Sequence, residues 1–162
     1  MTVTLSAAPA PLLARARALL ADGKTGGAAV ADLLPAGLVA GRGWPGAGDL
    51  IGLAISDPAY LIVVHGQVVG GCGLKGRPAG AGASTEIGYG LAPAWQHRGL
   101  GTEAVRLLLE ELSRRGAASV TAQVHPTNAA SLRLLHRLGF TEFAGPADEH
   151  LWLRRSLSVN LP

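Results

Sequence analysis

Residues Thr85 to Val124 read as strand, helix, strand, and no other part of the chain restricts the fold as much. "TEIGYGLA", Thr85 to Ala92, alternates large and small residues as a strand does. From about Thr102 to Arg115 the pattern turns helical, with Ala104, Val105, Leu108 and Leu112 forming an apolar stripe. Arg106 with Glu110, and Glu111 with Arg115, supply i,i+4 pairs for the wet side, and Gly116 ends the helix. "SVTAQV", Ser119 to Val124, is the second strand. A strand, a helix and a strand in this order make a βαβ unit, which implies a parallel pair.

The remaining elements are hairpins and short helices. "YLIVV", Tyr60 to Val64, and "VVGGCGL" flank a His65-Gly66-Gln67 turn and read as a hairpin. Lys75 to Ser84 is a glycine-rich loop. "NAASLRLLHRL" is a helix capped by Asn128 and stopped by Gly139. "FTEFA" and "EHLWLRRSL" are two antiparallel strands. In the first half, Val3 to Leu5 reads as a strand, and Pro11 to Ala21, Ala28 to Leu34 and Asp49 to Ser56 as helices, the last ending before Pro58. The fold class is α/β, with a mixed, largely antiparallel sheet of six to seven strands, flanking helices and a central βαβ unit. One domain is expected over residues 1–162, divided into an N-terminal region 1–59, a core 60–144 and a final strand in 145–162.

Composition narrows the function. At 48% hydrophobic and 15% charged the chain is globular. No apolar run spans a bilayer, and the N-terminus lacks the basic start and long apolar stretch of a secretory leader, so a cytoplasmic protein without a membrane partner is expected. A single cysteine, Cys72, permits no internal disulfide and sits in a strand pattern as a small core residue. No His, Asp or Glu cluster has metal-ligand spacing, so no metal is expected. The net charge of +3 comes from scattered basic residues with few aromatics, which suits a small anionic ligand better than nucleic acid. "GCGLKG", Gly71 to Gly76, matches Gly-x-Gly-x-x-Gly, but a proline and a glycine-rich loop follow where a dinucleotide site needs a helix.

"QHRGLG", Gln96 to Gly101, stands where the long helix begins, although glycine is a poor helix former. A helix N-terminus exposes unpaired N–H groups and the positive end of the dipole, a ready site for phosphate. Gly99 and Gly101 remove side chains that would keep a phosphate from the backbone, and Arg98 adds positive charge.

"GLAPAWQHRGLGTEAVRLLLEEL" resembles the acetyl-CoA-binding segment of the GNAT superfamily of N-acetyltransferases, on Leu91, Pro93, Gln96, Gly99 and Gly101. "NAASLRLLHRLGF" resembles that family's second signature, an Asn-led helix ending in Gly-Phe. Together they cover Thr85 to Phe143. The resemblance implies a GNAT-like sheet and acetyl transfer from acetyl-CoA to a primary amine, on a small molecule or on a peptide N-terminus or lysine. It implies that the backbone from His97 through Arg98, Gly99, Leu100 and Gly101 to Thr102 holds the pyrophosphate, with Gln96 part of the same motif. Gly90 and Leu91 would hold the pantetheine arm at a strand that splays from Ser119–Val124, with a bulge at Gly88 and Gly90, and Asn128 would hydrogen-bond that arm. A homodimer is left open.

The tyrosine that many members place seven residues after the asparagine is Leu135 here, and the glutamate that some place five residues before it is Gln123. Both departures turn the resemblance from the RimI-like type toward the RimJ/RimL-like branch, whose "EIGYGL" strand and whose serine, Ser131, this chain shares. In that branch the serine is the proposed acid for the leaving thiolate. Glu86 leads the strand on the face of Gly88 and Gly90 and is the preferred base, with His125 the runner-up. The acceptor site is expected from the N-terminal helices, Pro11 to Ser56, and the last hairpin, where Glu149 and His150 could line it. A non-catalytic acyl-CoA-binding or sensor module on the same fold is the alternative, and a different phosphate ligand a third.

Overall fold

The computed structural model describes residues 1–24, 28–75 and 84–157. In chain order the elements are β1 (Val3–Ala7), α1 (Ala10–Ala21), α2 (Ala28–Ala31), β2 (Val39–Ala40), α3 (Ala47–Ile55), β3 (Ser56–Val64), β4 (Gln67–Lys75), β5 (Ser84–Leu91), a 3-10 turn Pro93–Trp95, α4 (Leu100–Arg114), β6 (Ser119–Val124), α5 (Ala129–Arg137), β7 (Thr141–Phe143) and β8 (Leu151–Ser156). The glycine-rich loop after Lys75 lies at 76–83, outside the described residues.

The strands form one sheet in the order β1-β3-β4-β5-β6-β8-β7, with β2 attached parallel to β4. The pairing is antiparallel except at β2–β4 and in the βαβ unit, where β5 and β6 run parallel. The eighth strand, beyond the seven legible in the sequence, is the two-residue β2.

The hydrophobic pattern of β3 shows how the layers are built. Tyr60, Ile62 and Val64 point into a core shared with Val105, Leu108 and Leu112 of α4 and Leu135 of α5. Ala59, Leu61 and Val63 point into a second core with Leu12 and Ala16 of α1 and Leu50 and Leu53 of α3. A strand buried on both faces reads as an unbroken apolar run, as "AYLIVV" does. The sheet is therefore a middle layer, with α1 to α3 on one face and α4 and α5 on the other.

Two features of the sheet depart from expectation. β3 begins at Ser56 rather than Tyr60 and carries Pro58 inside it, at a register shift between Ser56 and Ala59 where the ladder already breaks. The bulge expected at Gly88 and Gly90 is absent: β5 pairs with β4 without interruption from Lys75↔Glu86 to Gly70↔Leu91. The second irregularity lies between β3 and β4, where Ile62↔Gly70 is followed by Val63↔Val68 and Val69 is the extra residue.

The splay between β5 and β6 is present. The two strands pair only at Ser84↔Ser119, Thr85↔Val120 and Glu86↔Thr121. Beyond Glu86, β5 keeps its β4 partner and loses β6.

Leu135 is fully buried on the sheet side of α5. A tyrosine there must enlarge a packed site and bury a hydroxyl. Leu135→Tyr is expected to lower stability by about 3 kcal/mol, read as a lower urea midpoint with an unchanged slope.

Candidate active site

The turn before α4 uses its two glycines differently. The helix starts at Leu100, two residues before the sequence pattern shows it, and Gly99 is its N-cap with φ +76°. His97 is also left-handed, at φ 60°. A Cβ on Gly99 would meet nothing within 4 Å, so this glycine answers to backbone conformation and leaves open space in front of the helix. Gly101 answers to packing. A Cβ there would lie 3.2 Å from Leu134 Cδ1 and 3.6 Å from Leu91 Cδ1, so its absence lets α5 and β5 close on α4.

A cavity of about 510 Å³ opens in front of this turn. It is lined by Tyr89, Gly90 and Leu91 of β5, by Gln96, His97, Gly99, Gly101 and Thr102, and by residues of the α5 segment from Asn128 to Arg137. Of the residues singled out in the turn, Arg98 and Leu100 do not line it. Arg98 is placed over the Trp95 ring, 5.6 Å from its centroid. The Leu100 side chain is buried in the core. The basic side chains at the cavity are Arg133 and Arg137, which lie i,i+4 on one face of α5. The sequence signal for them was that spacing on the same helix as Asn128.

Gln96 acts on the strand: its Nε2 donates to Leu91 O at 2.9 Å. The Ala92 N–H donates the other way, to Val69 O of β4 at 2.8 Å. Alternation along β5 therefore turns the polar groups of Tyr89 and Leu91 toward the gap left by β6, and those of Gly90 toward β4. With Leu91 O taken by Gln96, the Leu91 N–H and the Tyr89 main chain are what the strand offers to the gap.

At α5, Asn128 Oδ1 accepts from the Ser131 N–H at 3.1 Å, a side-chain cap. Both residues line the cavity. The Tyr89 hydroxyl is buried and makes no hydrogen bond of good geometry among the described residues. Burial pushes the phenol pKa up, and the neighbouring Ser131 side chain draws it back in part.

A second cavity, of about 340 Å³, lies on the opposite face of the sheet. Its walls include α3 (Asp49, Ile51, Gly52, Leu53, Ile55), Lys75, Gly88 and Gly90 on the facing side of the sheet, and also Cys72 and Tyr89, whose side chains pack into the core on the other face. The lining is mostly apolar. Asp49 caps α3 by accepting from the Gly46 N–H at 2.8 Å; burial pushes its pKa up, and that hydrogen bond offsets part of the rise. The Cys72 thiol is buried, and burial pushes its pKa to about 12, so it stays protonated and unreactive at neutral pH. Tyr89 and Gly90 line both cavities, one on each face of β5.

Glu86 sits on the α3 face of β5, in line with Gly88 and Gly90, because no bulge intervenes. Its Oε1 takes an ion pair from Lys75 Nζ at 2.7 Å. Lys75 lines the second cavity, and its stem lies over Gly88. His125 lines neither cavity. It is exposed, with Nδ1 2.7 Å from Thr127 Oγ1 and its ring edge-on to His150 at 5.8 Å. Glu149 and His150, on the loop before β8, also lie outside both cavities.

Residues 47–141 match the family described as the acetyltransferase (GNAT) domain. The [ribosomal protein bS18]-alanine N-acetyltransferase of Escherichia coli is 36% identical over 59 residues, which are 36% of this chain and 40% of that protein. An L-methionine sulfoximine/L-methionine sulfone acetyltransferase of Salmonella typhimurium is 45% identical over 49 residues, 30% of this chain and 29% of that protein. The chain thus spans well under half the length of these curated relatives. Among solved structures, Mycobacterium smegmatis RimJ in complex with CoA-disulfide superposes with a TM-score of 0.55 at 25% identity, over 61% of this chain and 52% of that one. The fold alone extends further: Salmonella typhimurium yncA, solved with acetyl-CoA, covers 98% of this chain and 95% of its own at a TM-score of 0.61 and 22% identity. With more than half of its residues inside the family match, and with the strand, turn and Asn-led helix arranged around one cavity, the chain belongs to the GNAT acetyltransferase family.

Proposed function

We propose that the protein is an acetyl-CoA-dependent N-acetyltransferase that acetylates a primary amine, on a small molecule or a peptide, in the cytoplasm where acetyl-CoA is made and used. The observation that carries this reading is that two cavities share Tyr89 and Gly90 as wall residues. One has the features a CoA thioester needs: a helix N-terminus behind a left-handed glycine, two arginines and a free strand edge. The other offers an apolar chamber for an amine. A binding module for acyl-CoA alone has no use for the second chamber.

The donor residues divide the work by position. Gly99 and the N–H groups opening α4 face the pyrophosphate, with Arg133 and Arg137 as counter-charges. Asn128 Nδ2 is left to reach the pantetheine arm, since Oδ1 is held by the cap. The Leu91 N–H, turned into the gap, stabilises the negative charge that develops on the thioester oxygen. On the acceptor side, Glu86 takes the proton from the amine through water. The structural relatives were solved with CoA-disulfide or acetyl-CoA, and the sequence relatives acetylate an alanine of a ribosomal protein or a methionine analogue. These acceptors fit a chamber for a compact amine.

The test is incubation with acetyl-CoA and a pooled library of amines and N-terminal peptides, following thiol release and acetylated products together. Cys72 is buried, so native protein adds no thiol background. Turnover with a defined product supports the reading. Saturable CoA binding without turnover supports the sensor alternative, and absence of CoA binding overturns both.

A further inference from the structure

The tyrosine that relatives supply from α5 has no counterpart facing the cavity here. Its position is Leu135, fully buried in the core and turned from the donor cavity. A phenol nevertheless reaches the same region from the opposite wall. Tyr89 lines both cavities, beside Gly90 on β5 and across from Ser131 on α5. Its hydroxyl is buried without a hydrogen bond of good geometry, an arrangement that leaves its proton free for a ligand atom.

We infer that Tyr89, seated against Ser131, is the acid that protonates the departing thiolate of coenzyme A. The inference rests on the acetyl transfer proposed above. In that step the amine nitrogen attacks the thioester carbonyl carbon, the C–N bond forms and the C–S bond breaks with its electron pair on sulfur. The sulfur takes the Tyr89 proton. The surplus proton on nitrogen leaves to Glu86 or water, and the phenolate is reprotonated from solvent through Ser131 Oγ, so that atoms and charge balance. Ser131 thereby acts as a positioning and relay residue. Burial supports the assignment by keeping the phenol neutral at neutral pH.

Tyr89→Phe keeps the ring and removes the proton. It is expected to lower kcat about 100-fold and to leave CoA affinity unchanged, because the hydrogen bond matters mainly in the transition state. The alkaline limb of kcat gives a second readout that a structural role would not move. The chain has two tyrosines, and Tyr60 lies apart from both cavities except through its strand, with its hydroxyl 3.4 Å from Glu111 Oε1. In a Tyr60→Phe background, biosynthetic replacement by 3,5-difluorotyrosine makes Tyr89 alone more acidic, and the limb is expected to move to lower pH. Ser131→Ala is expected to move it higher, since Ser131 lowers the phenol pKa. Full kcat in Tyr89→Phe with chemistry rate-limiting, or a limb indifferent to fluorination, overturns the inference alone. A wild type that binds CoA and acetylates no amine overturns the inference together with the function on which it rests.

Discussion

Glu86→Gln is expected to slow acetyl transfer at pH 7 by about 10²- to 10⁴-fold and to leave CoA binding intact. The substitution keeps the side chain's shape, and its carbonyl oxygen can still accept from Lys75, so the fold of β5 is not at risk. What it removes is a group able to take a proton on the acceptor face. Glu86 and Gly90 are four residues apart on a regular strand, about 13 Å between Cα atoms, so the proposed proton transfer would run through water rather than directly. The Lys75 bridge fixes the position of the carboxylate. Because bulk solvent deprotonates the amine at high pH, the deficit should narrow as pH rises. Initial rates from neutral to alkaline pH, set beside calorimetric titration with CoA, check both halves. A near-normal rate at pH 7 would transfer the base role to water alone.

Gly99→Glu is expected to weaken CoA binding by at least about 100-fold while the protein stays folded. Two effects act together. Gly99 is at φ +76°, a conformation that most side chains, glutamate among them, adopt with strain. The new carboxylate would also project into open space in front of the α4 N-terminus, the proposed pyrophosphate site. Gly99→Asn separates the two, since asparagine tolerates a left-handed backbone and carries no charge. It should retain most of the affinity that the glutamate loses. Circular dichroism establishes folding, and unchanged affinity in a folded Gly99→Glu protein would refute the phosphate cradle.

What the sequence made legible follows from how local each signal was. The apolar stripe of α4, the Asn128 cap and the βαβ order lie within short windows, and the structure repeats them with boundaries moved by a residue or two. β2 is two residues long and has no period to detect. The bulge is set by how β4 meets β3, so it appears at Val69 and not at the glycines of β5. Arg98 looked like a phosphate ligand because it adjoins the turn; its direction was decided by Trp95, three residues earlier, which offers its ring to the guanidinium. In the sequence, Tyr89 is one large residue of an alternating strand pattern. Only the packing of α5 against β5 shows that its hydroxyl stops beside Ser131, without a hydrogen bond of good geometry among the described residues.

The parting of β5 from β6 after three paired residues has a consequence for the molecule as a material. Most sheets confine their unpaired edges to the outside and blunt them there with charge or proline, because an open edge recruits other chains. This sheet carries an open edge in its middle, with β4 paired on one side and α5 walling the cavity on the other. Another sheet cannot approach it side-on, so the hazard of an edge is absent while its row of hydrogen-bonding groups remains. Such a slot offers its hydrogen-bonding groups to a molecule that enters lengthwise, not to a strand arriving side-on.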